Sequence, residues 1–390
     1  MRTKQIVSAA WALAVGMLGL AAAMGIGRFA FTPLMPLMQE HAGLTLAQGG
    51  LLAAANYAGY LAGALFCVFA TPNPGAATRA GLAGVALFTL AMGLTADFQW
   101  WLLWRFAAGV ASALVLVGIS AWALQRLARA ERAHWAGWVF AGVGVGIVFA
   151  GLVSLVIGLR GTGPSTGWLL LGAAATLVLT LTWPQFSASQ AASATRAPMR
   201  TQRFDVDAWL LIGCYGIFGF GYIIPATFLP SLARQLLADA AVFGWIWPIF
   251  GLAAAVSTIA ASLLLRNAAP RQVWALCQVV MAAGAMAPVV ASNVGMLLVA
   301  AICIGGTFML LTMAGMQEAR RVAGNAAPRL IAAMTAAFAM GQLLGPIVVS
   351  VLPSSANPLY AASIAAAVLL IAGAAILSAS YRPRDAPSTI

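Results

Sequence analysis

Charge is what this sequence has least of. Of its 390 residues, 7% are Asp, Glu, Lys or Arg, where a water-soluble protein carries roughly 25%. So few charged side chains cannot cover a water-facing surface, and a soluble globular enzyme is excluded. Acids are the scarcer sign, 8 against 20 basic residues, and Lys4 is the one lysine. No Asp or Glu falls in the interior of a long apolar run. Cysteine is sparse too: Cys67, Cys214, Cys277 and Cys303 stand singly, without CxxC spacing. They read as small buried hydrophobes, neither a disulfide framework nor a metal site. His41 and His134 sit in loops and make no metal pair. The phosphate-binding pattern GxxxxGK[ST] is missing, so ATP-driven transport has no support. An intramembrane enzyme would need a Ser/His, paired-Asp or metal-ligand constellation at membrane depth, and none is present. The expectation is a protein that is not an enzyme, with no cofactor and no nucleic-acid partner.

What is present is apolar sequence, 63% of the chain, in long unbroken runs rather than the ~10-residue alternation of a lipid barrel. Twelve segments stand out: 7–37, 47–70, 80–96, 100–125, 134–157, 166–183, 208–231, 242–265, 272–291, 294–316, 330–352 and 358–380. Most hold the ~17–25 residues that cross a bilayer as a helix. The fold class expected is an all-α integral membrane protein of twelve transmembrane helices. The first segment is over-long and should tilt or break. Its apolar run also outlasts the 7–15 residues of a signal-peptide core, so it reads as an uncleaved helix.

The basic residues fix an orientation. Sixteen of the 20 fall in one alternating set of gaps, from Arg2 and Lys4 through Arg79, Arg126, Arg196 and Arg320 to Arg384, against Arg160 and Arg234 in the other. Lys and Arg gather on the cytoplasmic side. Both termini are therefore expected inside, in a multi-pass protein of the cell (inner) membrane. The polar stretch 184–207, WPQFSASQAASATRAPMRTQRFDV, lies midway. It reads as a central cytoplasmic loop between an N-terminal six-helix bundle (1–183) and a C-terminal one (208–390) with a short cytoplasmic tail. The halves echo each other. Gly25, Gly27 and Pro36 match Gly219, Gly221 and Pro230 at an offset of 194, and Gly142 and Gly146 match Gly341 and Gly345 at 199. Two pseudo-symmetric bundles with a site between them suit a secondary transporter.

Several stretches carry a resemblance: GIGRFAFTPLMPLMQ at 25–39, NYAGYLAGAL at 56–65, GFGYIIPATFLPSLAR at 219–234, GGTFMLLTMAGMQEAR at 305–320 and MTAAFAMGQLLGP at 334–346. With six helices either side of a central loop, the chain resembles the major facilitator superfamily, and within it the YbfB-like branch. That resemblance implies alternating access, with helices 1, 4, 7 and 10 lining the cavity. Against the wider superfamily, the loop after the second segment, TPNPGAATRAG, keeps Arg79 and Gly81 of the usual latch and lacks its Asp. Arg105, Gly109 and Ala113 keep the RxxxGxxxA pattern of the fourth segment, while the Gly-rich run at 142–151 lacks the Gly-Pro pair of the antiporter motif.

Arg28 and Arg105 are the basic residues inside apolar segments. A central Arg costs about 2.5–3.5 kcal/mol, and its planar fork suits a carboxylate or phosphate. If both face the cavity, as the resemblance implies, they make a positive pocket for an anion. The alternative is structural: Arg105 paired with Asp97, and Arg28 with Glu40 as a periplasmic gate. Tyr215 and Tyr222, seven apart, share a helical face, and Tyr222 takes the repeat position of Arg28. Asn56 with Tyr60, and Thr335 with Gln342, form polar strips that either touch solute or join helices. Glu318 reads as an inner-gate ion pair beside Arg320 and Arg321, or as a proton-coupling group. Gly59/Gly63, Gly142/Gly146 and Gly341/Gly345 are GxxxG pairs that allow the close, sliding contacts a rocking transporter needs.

The expectation is a secondary transporter of a small anionic or amphipathic organic solute, monomeric in the lipid bilayer, with a coupling proton or an exchanged anion as further partner. Two alternatives stay open. One is polyspecific drug or cation efflux by proton antiport, and the other is a transporter-like sensor.

Overall fold

The computed structural model describes residues 2–70, 72–132, 135–186, 204–236, 243–264, 268–324, 327–351 and 358–381. Most of the loop expected at 184–207 lies outside these residues, as do His134, Arg196 and Arg384. Among the described residues all regular structure is helical, and twelve spans are long and apolar enough to cross a membrane. Several begin at a side-chain cap or a proline. Asn73 caps α4, whose first residue is Pro74, and Asp97 and Asn293 accept first-turn amides of their helices.

The first span is broken, as its length foretells. Helix α1 (Arg2–Leu20) runs into a π-helical stretch (Ala21–Ile26), and α2 (Phe31–Ala42) resumes after a turn. Gly25 and Gly27 flank the break, where the amides of Gly27 and Phe29 reach back five residues, to Ala22 and Met24. Then follow α3 (Leu46–Ala70), α4 (Pro74–Leu94), α5 (Phe98–Arg129), α6 (Ala136–Leu159) and α7 (Pro164–Thr182). A 3₁₀ turn, Trp183–Phe186, folds back so that Phe186 packs edge-on against Trp122, 5.1 Å between centroids. The second six are α8 (Val206–Leu236), α9 (Ile246–Leu264), α10 (Pro270–Val290), α11 (Val294–Ala323), α12 (Ala327–Val351) and α13 (Pro358–Ala379). Pro36, Pro225, Pro230 and Pro346 lie within α2, α8 and α12, which continue through them.

α1–α7 form one six-span bundle and α8–α13 the other. They meet along α6 with α9, α3 with α12, and α2 with α8. The GxxxG glycines work inside the bundles, and this corrects the expected sliding role. A methyl on Gly59 or Gly63 would strike the Phe106 or Val110 carbonyl of α5. Gly142 and Gly146 sit on Met17 and Ala21 of the first span, and Gly341 and Gly345 pack on Gly216 and Ile223 of α8. These contacts hold each broken or proline-bearing span against its neighbour. Between the bundles the close approach belongs to Gly137, Gly144 and Gly151 of α6. They are spaced by sevens and rest on Ser262, Gly251 and Pro248 of α9.

Candidate functional site

The break in the first span frees backbone carbonyls in an apolar interior, where each needs a donor. The first bundle supplies them. Ser112 donates to Ala23 O (2.8 Å), while Arg105 donates through Nη1 to Gly27 O (3.3 Å) and through Nη2 to Arg28 O (3.1 Å). Asn56 Nδ2 donates to the Arg105 carbonyl (2.9 Å) and reaches Gly27 O (3.4 Å). Arg105 therefore does not pair with Asp97, and its terminal nitrogens are spent on backbone. Asp97 instead caps α5, accepting from the Gln99 amide at 2.8 Å. Asn56 joins three segments and is fully buried.

Arg28, which follows the break, is held differently. It is 2% exposed, and its guanidinium lies 4.0 Å from the centre of the Tyr60 ring, with Tyr57 and Phe29 at 5.3 and 5.4 Å. A desolvated cation–π contact offers about 2 kcal/mol, offsetting much of the burial cost. Across the bundle boundary Arg28 Nη2 donates to Gln342 Oε1, and the Gln342 amide donates to the Tyr222 hydroxyl at 2.8 Å. Arg28 Nε finds no acceptor, and no acid pairs with Arg28 among the described residues. The alternative Arg28–Glu40 pair does not form; Glu40 pairs with Arg234 instead.

The second bundle contributes a cluster of rings next to the Gln342 link. Tyr222 stacks between Phe308 and Phe338, at 5.7 and 5.8 Å and within 7° of parallel. Phe250 stacks on Phe308 and on Trp247, whose buried indole nitrogen has no acceptor. Tyr57 and Thr227 share a hydrogen bond of 3.1 Å from bundle to bundle. Tyr215 lies apart from Arg28, edge-on to Trp274 at 5.6 Å and against Gly315. Thr335 bonds back to the Ile331 carbonyl at 2.8 Å and stays out of the Gln342 chain.

Two charged sites flank the centre. At the face away from the termini, Arg234 pairs with Glu40 and donates to Pro36 O at 2.7 Å, tying α8 to α2. Glu40 and Arg234 differ by 194 positions, the repeat offset itself, so the pair joins equivalent points of two pseudo-symmetric spans. A recess of about 240 Å³ opens beside it, lined by Pro33, Glu40, Pro230, Arg234 and Trp247 among others. At the termini face Glu318 is fully buried, 2.7 Å from both Arg271 and Arg321. Arg271 also grips Asp207 (2.7 Å) and the Ser380 carbonyl (2.9 Å). Every member belongs to the second bundle, so this cluster fastens α8, α10, α11 and α13 to one another rather than bundle to bundle. Arg271, not Arg320, is the partner that sequence proximity hid.

Tyr57, Thr227, Phe308 and Phe338 had not stood out in the sequence. Tyr57 shares a face with Tyr60 at i,i+3 spacing, a usable signal. The phenylalanines carry none, because aromatics in apolar helices are ordinary. Over residues 20–378 the chain matches the family described as the uncharacterised MFS-type transporter YbfB. No curated protein matches it.

Proposed function

The chain belongs to that YbfB-like family of MFS-type transporters, and on this premise we propose that it carries a small organic anion with an apolar or aromatic body by alternating access. One observation carries the reading: Arg28 is buried between the bundles, with no acid beside it among the described residues and with Nε unpartnered. An uncompensated cation in low dielectric favours an anion strongly, and Arg presents the fork that a carboxylate fits. The rings of Tyr60, Tyr222, Phe308 and Phe338 suit the rest of such a solute.

With the arginine-rich face inside, the termini face is cytoplasmic and Arg234–Glu40 is an outer gate that must part for release or entry. Each negative charge moving inward against 100 mV costs about 2.3 kcal/mol. Efflux or exchange is thus favoured unless a proton accompanies the solute. Counterflow in proteoliposomes tests the proposal. Labelled benzoate should accumulate against preloaded benzoate, and lipophilic cations should not compete. Competition by cations alone would support drug efflux instead, and binding without counterflow would support a sensor.

A further inference from the structure

Building on the anion reading, we infer that the central site is a seat for one negative charge, and that Gln342 occupies that seat when no solute is bound. The transported solute is then a monoanion, a monocarboxylate by the chemistry of the fork, on a planar apolar body.

The charge count comes first. Among the described residues three arginines are buried at or below 2% exposure: Arg28, Arg105 and Arg271. Arg271 is matched by Asp207 and Glu318. Arg105 spends Nη1 and Nη2 on the carbonyls that the helix break releases, beneath the Phe31 ring at 4.9 Å. Turning it toward a ligand would orphan the Arg28 carbonyl and leave Gly27 O only the 3.4 Å bond from Asn56. Among the described residues one deeply buried cation remains available, so a second negative charge on the solute would enter unpaired, among rings and out of water.

Geometry identifies the occupant of the empty seat. A carboxylate approaching a guanidinium side-on takes two parallel bonds, from Nε and from the terminal nitrogen on the same edge. In Arg28 the terminal nitrogen Nη2 is held by Gln342 Oε1, and Nε has nothing. The amide oxygen is a neutral stand-in that fills half of the carboxylate's position. Tyr222, bonded to the other end of the amide, keeps Gln342 in place, and the link spans the two bundles. A solute carboxylate must displace Oε1 to bind, so Gln342 competes with substrate and reduces its apparent affinity.

The test uses purified full-length protein in detergent, with binding measured by calorimetry for benzoate, phthalate and monomethyl phthalate. The ester matches the bulk of phthalate with one charge removed. Wild type should bind benzoate and the monoester, and phthalate about 100-fold more weakly. Gln342→Met, which keeps the side-chain length and removes the competing oxygen, should bind benzoate roughly tenfold more tightly. Phthalate binding as tight as the monoester's would overturn the single-charge seat. Weaker benzoate binding in a folded Gln342→Met protein would make Gln342 a substrate ligand instead of a stand-in. Should that variant not fold, the phthalate-to-monoester ratio on wild type decides alone. No binding of any of the three to wild type would sink the anion reading itself, a different failure from equal binding of mono- and dianion.

Discussion

The two bundles share an architecture and divide the chemistry. At the repeat offset of the first span, Arg28 faces Tyr222 as its counterpart. Gly109 of α5 seats on the Asn56 carbonyl as Gly305 of α11 seats on Phe250, which sets Asn56 against Phe250 and, one turn earlier, Arg105 against Ala301. The first bundle therefore holds the cation and the polar scaffold around a broken helix. Its partner presents rings, with Gln342 as the polar group that meets Arg28. The second bundle keeps its own buried charges at the termini face, matched among Glu318, Arg271, Arg321 and Asp207. Buried charge that is matched fastens helices, whereas the solute site we propose uses the buried charge left unmatched at the bundle boundary.

That contrast can be broken from either side. The largest effect is expected at Glu318→Ala, which removes the buried acid shared by Arg271 and Arg321 and leaves Arg271 only Asp207. Stability should fall by about 3–5 kcal/mol, seen as a lowered thermal midpoint, with any folded fraction binding benzoate normally. An unchanged midpoint would show that the cluster carries no structural load. Next is Arg105→Met, which strands the Arg28 carbonyl and leaves the Gly27 carbonyl only the long bond from Asn56. At about 1–3 kcal/mol for each orphaned group, a comparable or slightly smaller loss should appear. It should be absent in Ala301→Met if the polar scaffold belongs to the first bundle alone. The smallest effect is expected at Glu40→Gln. The Glu40–Arg234 pair is partly exposed, so the stability change should stay within about 1 kcal/mol. The outer face should nevertheless open more often, measured as faster thiol labelling, from outside the vesicle, of Ser154→Cys, a position lining the recess beside the pair. Unaltered labelling would remove Arg234–Glu40 from the gate.

Much of the fold could be read from the sequence, because it follows from run length and the bilayer's thickness. The twelve spans and the over-long first segment pointed to what is found. The partners of charges were harder to see. Arg105 answers to carbonyls that exist as acceptors only because a distant helix breaks, and nothing in the vicinity of Arg105 announces them. Asp97 lies eight residues from Arg105 and looked like its counter-ion, yet an Asp just before an apolar run is an N-cap signature, and capping prevailed. Gln342 lies 314 positions from Arg28, beyond the reach of spacing arguments. Glu40–Arg234 could have been found, since it shares the offset of the glycine matches.

The division of labour between the two buried arginines of the first bundle is tested most directly by benzoate stabilisation of wild type, Arg28→Lys and Arg105→Lys side by side. Lysine keeps the charge and loses the fork. The account predicts that Arg28→Lys melts near wild type and loses the benzoate response, while Arg105→Lys melts lower and keeps it. The reverse pattern, with Arg105→Lys losing the response and Arg28→Lys retaining it, would contradict the account at its centre.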